Sequence, residues 1–159
     1  MRRIVVNIAD FAVSRDTDVT LVTYALGSCI ALILYDAVAK AAGMIHYMLP
    51  LSSTNPQKAA ATPAMFADTG VPLLFHSMYD LGCNKQDLVV KVAGGGQLYD
   101  DNGVFEIGKR NLMLLRRMLS KTNVRVTAED VGGCKSRTVS LEVATGRCTV
   151  RSASGEREL

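Results

Sequence analysis

The first third of the chain has the hydrophobic pattern of β-strands. Apolar and polar residues alternate over residues 18–24, and residues 3–8 are mostly apolar and β-branched. Residues 29–35 and 43–49 are nearly continuous apolar runs, which are typical of strands covered on both faces. The short segment 36–40 separates these two runs, so we predict an antiparallel hairpin there.

The middle of the chain has a helical period. Apolar residues recur at helical spacing over residues 59–81, where Gly70 and Pro72 interrupt the pattern and Gly82 follows it. We predict either two helices or one bent helix in this segment. Residues 107–121 predict a further amphipathic helix, with its basic side chains facing solvent.

More strands are expected in the second half of the chain. They are predicted at residues 88–93, 124–128, 138–143 and 148–151. The last two flank residues 144–147, which read as a hairpin turn with its glycine at Gly146. Together these elements predict a single layered domain over residues 1–159, of the α/β class in its α+β form. Mainly antiparallel strands would pack with two or three helices.

Composition excludes several classes of function. The chain is 48% hydrophobic and 21% charged, which rules out wholesale disorder. A formal net charge of only +3 and the absence of Trp argue against nucleic-acid binding. No apolar run reaches the roughly 18–20 residues of a membrane span, and the first residues lack a signal-peptide pattern. We therefore expect a cytoplasmic protein that does not insert into a membrane.

The cysteines do not indicate a metal site. Cys29, Cys83, Cys134 and Cys148 form no Cys-x-x-Cys pair, and their spacing is unlike that of a zinc site. We therefore expect no metal site, and the mechanism implied by the family resemblance described below requires no organic cofactor. In a reducing compartment the simplest expectation for Cys83, Cys134 and Cys148 is a buried, packed thiol.

Two other segments have sequences that resemble functional motifs. Residues 94–96 are all glycine but lack the Lys-Ser/Thr that follows in a phosphate-binding loop. They therefore predict a tight turn or a close backbone approach. Asp100 and Asp101 precede Asn102-Gly103, which predicts an exposed turn rather than a catalytic carboxylate pair.

Cys29 and His46 are the candidates for chemistry, because they lie on the two strands of the predicted hairpin. With an even-numbered loop centred between residues 37 and 39, Cys29 lies opposite His46 or one diagonal step from it. A loop one residue longer or shorter would put the two side chains on opposite faces. A thiol beside a protonated imidazole can have a pKa well below its usual value, which would make Cys29 a nucleophile.

The neighbouring residues fit such a site. Gly27 and Ser28 form a small-residue approach whose backbone amides could stabilise an oxyanion. The hydroxyl of Thr23, on the preceding strand, could orient the His46 ring. From the residues alone, Cys29 and His46 are each more often interior packing residues, so both interpretations stay open.

Five segments, in order along nearly the whole chain, resemble the signature of the CheD family of chemoreceptor glutamine deamidases. They are Leu26-Gly27-Ser28-Cys29 with Leu34-Tyr35-Asp36, Gly43-Met44-Ile45-His46-Tyr47-Met48-Leu49-Pro50, Lys91-Val92-Ala93-Gly94-Gly95-Gly96, Ile107-Gly108-Lys109-Arg110-Asn111, and Glu129-Asp130-Val131-Gly132-Gly133. The chain departs from the family pattern at Cys134 and Lys135, where bulkier residues are expected, and at Gly96, where alanine is usual.

The resemblance implies a CheD-like fold and assigns roles to individual residues. Cys29 falls on the family nucleophile, His46 on its histidine and Thr23 on the threonine that orients that histidine. Gly27, Ser28 and Arg137 fall near the expected oxyanion or substrate contacts. Asn111 falls in the helix-start segment, where it would support loops near the site.

The implied activity is deamidation of chemoreceptor glutamines to glutamate through a thioester, with glutamyl methyl ester hydrolysis as a second activity. The implied partners are the cytoplasmic helices of methyl-accepting chemotaxis receptors and a CheC-type phosphatase. Two alternatives stay open. One is a different cysteine hydrolase, such as a peptidase or a transglutaminase-like enzyme. The other is a non-enzymatic regulatory module that binds a CheC-type phosphatase.

Overall fold

The computed structural model describes residues 1–97 and 106–159, so the turn predicted at Asp100 and Asp101 lies outside the described residues. The strands are β1 (Arg2–Val5), β2 (Asp10–Ser14), β3 (Val19–Leu26), β4 (Ile30–Asp36), β5 (Ala41–Tyr47), β6 (Leu88–Gly94), β7 (Ala128–Val131), β8 (Arg137–Glu142), β9 (Cys148–Ser152) and β10 (Gly155–Glu158). The α-helices are α1 (Pro56–Ala61), α2 (Ala67–Asp80) and α3 (Ile107–Lys121).

The described strands form two five-stranded sheets. The first has the order β1-β3-β8-β9-β10 and the second the order β2-β5-β4-β6-β7. Neighbours are antiparallel except for the parallel pairs β1–β3 and β6–β7. The predicted α+β class, with mainly antiparallel strands, is confirmed.

The second sheet is the central layer, which explains the continuous apolar runs of β4 and β5. One face of these strands packs against α2 and α3, through residues such as Leu32, Ile45 and Leu115. The other face packs against the first sheet, through residues such as Ile33 and Met44. Because both faces are covered, nearly every position of the two strands is apolar and buried.

The β4–β5 hairpin has the register that places the candidate site. Asp36 pairs with Ala41, which leaves a loop of residues 37–40. Asp36 closes this loop, because its Oδ1 accepts hydrogen bonds from the amides of Val38 at 2.8 Å and Ala39 at 2.9 Å. A carboxylate that caps its own turn explains why the loop needs neither glycine nor proline.

The helical segment 59–81 breaks at a different point from the one that its sequence indicated. The chain leaves α1 at Thr62 and passes through a 3₁₀ turn at Pro63–Met65 before α2 begins. Gly70 and Pro72 lie inside α2. A Cβ at Gly70 would approach the Ile45 side chain to 2.6 Å, so the glycine allows α2 to pack closely on β5.

The strand predicted at residues 124–128 is wrong in its placement. The strand there is β7, which begins at Ala128 and pairs in parallel with β6. Residues 124–127 are instead the connection from α3, and Asn123, two residues after the helix ends at Lys121, has a left-handed φ of +56°. The edge strands β2 and β10 were not predicted, because each is short and at most half-buried along its length.

Candidate active site

The hairpin register puts Cys29 and His46 on the same face of the central sheet. His46 pairs with Ala31, and the same register continued by two residues sets Cys29 opposite Met48. Cys29 is therefore one diagonal step from His46, which is one of the two arrangements that the sequence allowed. Cys29 itself lies in the bend just before β4. This face of the central sheet packs against the first sheet, so both side chains point into the interface between the two layers.

A hydrogen bond from the first sheet fixes the imidazole ring of His46. Thr23 Oγ1 lies 2.8 Å from His46 Nδ1 and 2.6 Å from the carbonyl oxygen of Val6. The Val6 carbonyl can only accept, so the Thr23 hydroxyl donates to it, and Oγ1 accepts from Nδ1–H. His46 is therefore the Nδ1–H tautomer, with its lone pair at Nε2.

The Nε2 atom of His46 is buried and has no hydrogen-bond partner among the described residues, so the Cys29 thiol does not bond to it in this structure. His46 is 2% exposed and Thr23 is fully buried, whereas Cys29 is 9% exposed. His46 therefore presents an oriented acceptor nitrogen, Nε2, on the same face of the sheet as the Cys29 thiol, which lies at the edge of the buried region.

Burial opposes charge on both groups. It raises the pKa of the Cys29 thiol from 9.0 to about 11, with a smaller opposing effect from the cysteine's own backbone N–H. It also lowers the pKa of His46 from 6.5 to about 4. The expectation of a thiol pKa below its usual value is therefore wrong for this structure. Desolvation penalises the thiolate and the imidazolium alike, and the pair rests as a neutral thiol and a neutral imidazole.

Glycines at the end of β6 pack against the backbone of residues 27–29, the Cys29 loop. The amide of Gly95 donates to the Cys29 carbonyl at 2.9 Å, and the amide of Gly96 donates to the Gly27 carbonyl at 2.8 Å. Gly94 has a φ of +106°, and a Cβ there would lie 2.3 Å from the Cys29 carbonyl oxygen. The close backbone approach predicted for this glycine run is confirmed.

Asn111 of α3 contacts the same loop. Its Nδ2 donates to the backbone carbonyls of Ser28 at 3.0 Å and Met48 at 2.8 Å, and the backbone carbonyl of Asn111 accepts from the hydroxyl of Tyr47 at 2.8 Å. The expectation that Asn111 supports loops near the site is confirmed. Gly27 is buried and Ser28 is half-buried, and both immediately precede Cys29 in the chain. Their oxyanion role stays a prediction.

Arg137 lies beneath the neighbouring loop and is 1% exposed. Its Nε donates to Asp130 Oδ1 at 2.9 Å, and its Nη2 donates to the Gly132 carbonyl at 2.7 Å. Asp130 also accepts from Arg157 at 3.0 Å. Burial raises the pKa of Asp130, but the hydrogen bonds from the two arginines outweigh this and lower it overall. Arg137 braces the 130–137 segment, and its substrate contact stays a prediction.

The remaining cysteines divide in two groups. Cys83 and Cys148 are buried, as expected. Cys134 is exposed, so the expectation of a packed thiol there is wrong. Its neighbour Gly133 is also exposed, and a Cβ at Gly132 or Gly133 would meet no atom within 4 Å, so no described residue packs over the side-chain side of this loop.

One contact of the site could not be foreseen. The Val6 carbonyl that orients the Thr23 hydroxyl comes from the chain just after β1, which pairs with β3 in parallel. No local sequence signal marks a backbone carbonyl as a partner, so the pairing of β1 with β3 was needed to find it.

Within residues 1–97 and 106–159, no group of three or more His, Cys, Asp or Glu side chains is placed to hold a metal ion. None of the described helices has both the length and the hydrophobicity to cross a membrane.

Comparison with known proteins gives a consistent set of relatives. The family model described as "CheD chemotactic sensory transduction" matches residues 48–152. A "Probable chemoreceptor glutamine deamidase CheD 1" of Syntrophus aciditrophicus is 51% identical over 160 residues, covering 100% of both chains. A "Probable chemoreceptor glutamine deamidase CheD 2" of Anaeromyxobacter dehalogenans is 49% identical and covers 96% of each chain.

A more distant relative also matches nearly the whole chain. The "Probable chemoreceptor glutamine deamidase CheD" of Pyrococcus horikoshii is 35% identical over 97% of this chain and 94% of its own. Thr23, Cys29 and His46 precede the segment matched by the family model, but they fall within the full-length match to the Syntrophus protein.

Proposed function

Because this chain belongs to the CheD family, we propose that it is a protein-glutamine deamidase that converts glutamine side chains of chemotaxis receptors to glutamate. Support comes from relatives of equal length that carry this activity in their names. The observation that carries the assignment of residues is the 2.8 Å hydrogen bond between Thr23 and His46. It fixes a buried imidazole with its lone pair at Nε2, on the face that it shares with Cys29.

The first half-reaction starts from the neutral pair. As the Cys29 sulfur attacks the side-chain carbonyl carbon of a glutamine, its proton passes to His46 Nε2. The resulting oxyanion collapses when His46 returns that proton to the amide nitrogen. The C–N bond breaks, ammonia leaves and a thioester remains on Cys29. This order avoids a stable thiolate–imidazolium pair, which the burial of both groups disfavours.

Water completes the second half-reaction. His46 Nε2 accepts a proton from the water as its oxygen attacks the thioester, and the C–S bond breaks. The proton then returns to the sulfur, which releases glutamate and restores the resting pair. Thr23 holds the ring throughout, and backbone amides near Gly27, Ser28 and Cys29 would face the oxyanion. A glutamyl methyl ester would follow the same steps with methanol as the leaving group.

The substrate and the partner follow from the same assignment. We assign the cytoplasmic helices of methyl-accepting chemotaxis receptors as substrate, and the cytoplasm as the compartment. All four cysteines are free, which is compatible with a reducing compartment. A CheC-type phosphatase is the proposed regulatory partner, on the strength of the family resemblance.

Mass spectrometry of a purified receptor cytoplasmic fragment tests the proposal. The fragment is incubated with the wild-type protein, and the amide-to-carboxylate mass change at each glutamine is measured together with released ammonia. We expect both signals with the wild-type protein and neither with Cys29→Ala or His46→Ala. Cys148→Ala is the matched control, because Cys148 is also a buried thiol whose pKa is raised to about 11, but it lies in β9 away from the site.

Each other result has a defined meaning. Equal activity of Cys29→Ala and wild type would refute the nucleophile. A folded wild-type protein that binds the receptor or a CheC-type phosphatase without releasing ammonia would support the non-enzymatic alternative. Product that appears only with an added primary amine, attached to that amine, would indicate a transglutaminase-like enzyme.

A further inference from the structure

A single side chain of α3 links the Cys29 loop, residues 27–29, to the chain just after β5, the strand that carries His46. Asn111 is fully buried, and its Nδ2 donates to the carbonyl of Ser28 at 3.0 Å and to that of Met48 at 2.8 Å. Ser28 immediately precedes Cys29 in the chain. Met48 follows Tyr47, the last paired residue of β5, and lies two residues beyond His46 in the chain. Both carbonyls therefore belong to the backbone that sets the Cys29-to-His46 distance.

The two acceptors lie beyond the regular ladder of the hairpin. The paired residues of β4 and β5 end at Ile30 and Tyr47, so Cys29 is not held by the strand pairing itself. Beyond Ile30 and Tyr47, the two backbone segments can separate unless other hydrogen bonds hold them together. On the side away from β5, the amides of Gly95 and Gly96 hold the Cys29 loop. Asn111 holds the side that faces β5.

The amide group suits this position because one nitrogen carries two N–H donors. Aspartate has no donor and would set a carboxylate against two carbonyl oxygens. Asn111 Oδ1 is buried without a partner among the described residues, so the side chain is not fixed by a complementary set of bonds on its other side. The two donated bonds are therefore the side-chain hydrogen bonds of Asn111 among the described residues.

Its own backbone is anchored independently. The carbonyl of Asn111 accepts from Tyr47 Oη at 2.8 Å. One turn earlier, a Cβ at Gly108 would approach the carbonyl oxygens of Gly96 to 2.4 Å and Gly95 to 2.5 Å, so the start of α3 packs directly on the glycine run. The helix is thus a fixed support from which the amide can reach both carbonyls.

From this geometry we propose that Asn111 is a positioning residue for the reaction, which sets the placement of the Cys29 sulfur relative to His46 Nε2 by tying together the backbones on either side of them. The proposal rests on the proposed function for its catalytic consequence. It does not require Asn111 to touch the substrate.

The test measures how strongly Cys29 depends on His46. In a Cys134→Ser background, which removes the exposed thiol, the rate of Cys29 alkylation by iodoacetamide is measured with and without His46→Ala, and peptide mapping confirms the modified site. General-base help should make this ratio about tenfold or more in the parent protein. In Asn111→Ala the ratio should fall to about twofold or less, because a displaced sulfur no longer delivers its proton to Nε2.

Leu115→Ala is the matched control. Leu115 is fully buried one turn further along α3 on the same face, but it packs in the core between the helices and the central sheet. This variant loosens the helix without removing the two donated bonds, so the His46 dependence should remain. For deamidation, Asn111→Ala should lower kcat by about 10- to 100-fold and change KM by less than about threefold.

Circular dichroism establishes that each variant is folded. If Asn111→Ala does not fold, Asn111→Ser, which retains one donor, carries the same comparison. A folded Asn111 variant with an undiminished His46 dependence overturns the proposal, as does equal loss of that dependence in Leu115→Ala.

The result also separates this proposal from the proposed function. A parent protein with His46-dependent alkylation but no deamidation of receptor fragments refutes the function and leaves the positioning role of Asn111 standing. A parent protein whose alkylation is independent of His46 refutes the positioning role, whereas deamidation of the receptor fragment by that protein would leave the proposed function standing.

Discussion

Replacement of Thr23 by valine isolates the hydrogen bond that orients the imidazole. Valine keeps the β-branched shape but removes the hydroxyl that donates to the Val6 carbonyl at 2.6 Å and accepts from His46 at 2.8 Å. Thr23 is fully buried and His46 is 2% exposed, so water has little access to replace either bond. The change therefore leaves two buried polar groups without their partner.

The size of the effect follows from those two groups. Each buried group that loses its partner costs about 1–3 kcal/mol, so the free energy of unfolding should fall by about 2–6 kcal/mol. The imidazole can recover part of this by moving its proton from Nδ1 to Nε2. In that tautomer Nε2 carries the proton, so it has no lone pair to accept the proton of Cys29. A tautomer bias of about 1–3 kcal/mol corresponds to a loss of about 5- to 150-fold in kcat.

Steady-state ammonia release from a receptor fragment measures the loss, and chemical denaturation measures the stability. Thr23→Ser is the matched variant, because it keeps the hydroxyl and removes only the methyl group. We expect Thr23→Ser to retain most of the activity at a temperature where all three proteins are folded. ¹⁵N chemical shifts of His46 report the tautomer directly.

Two results would contradict this reasoning. Wild-type kcat in a folded Thr23→Val would mean that the hydroxyl does not orient the base. Equal loss in Thr23→Ser and Thr23→Val would mean that the methyl contact, rather than the hydroxyl, is what matters.

Three further predictions concern pH, backbone approach and the buried ion pair. Burial lowers the pKa of His46 from 6.5 to about 4, so the unfolded chain takes up the proton first, and about 3 kcal/mol of stability present above pH 6.5 should be lost as pH falls through this window. Denaturation at a series of pH values should show this slope, and His46→Ala should reduce it. Gly94→Ala should destabilise the protein by more than about 1 kcal/mol, since the new Cβ would lie 2.3 Å from the Cys29 carbonyl oxygen. It should also reduce the rate of Cys29 alkylation. Gly132→Ala is the control, because Gly132 also has a positive φ but a Cβ there would meet no atom within 4 Å, and it should leave that rate unchanged. Asp130→Asn removes the charge that pairs with a guanidinium only 1% exposed, and it should lower the free energy of unfolding by about 3 kcal/mol. The pKa of Asp130 is lowered in the folded protein, so the wild-type advantage should shrink as pH falls through that carboxyl's titration.

Much of the local structure was predictable because its signals lie close together in the chain. Residues 107–121 have an uninterrupted amphipathic period, and α3 begins and ends at the predicted residues. The hairpin was predictable because two apolar runs flank one short polar segment, and its loop was expected in the position where Asp36 closes it. Cys29 and His46 were singled out by the same hairpin, since the alternation of side chains along a strand restricts which residues can share a face.

Features that depend on distant neighbours were less accessible. β2 and β10 are short edge strands that bury little, so their residues carry no strong pattern. β7 joins β6 in parallel, a pairing that leaves no turn in the sequence to mark where the strand begins. The break in segment 59–81 was misplaced because Gly70 serves close packing on Ile45, a contact between elements far apart in sequence.

The amino-acid sequence by itself determined the family and the fold class and singled out Cys29, His46 and Thr23 as candidates for the chemistry, since these inferences depend on residue types and their spacing. Only the tertiary structure decided the electrostatic state of the site. Two sheets close over Cys29 and His46, and desolvation then keeps both neutral, whereas the sequence alone suggested an ion pair. It also decided that the hydroxyl of Thr23 is directed by a carbonyl of another strand and that Asn111 spans the two backbones. Burial and hydrogen-bond direction depend on what surrounds a residue in space, and that surrounding exists only after the layers have packed.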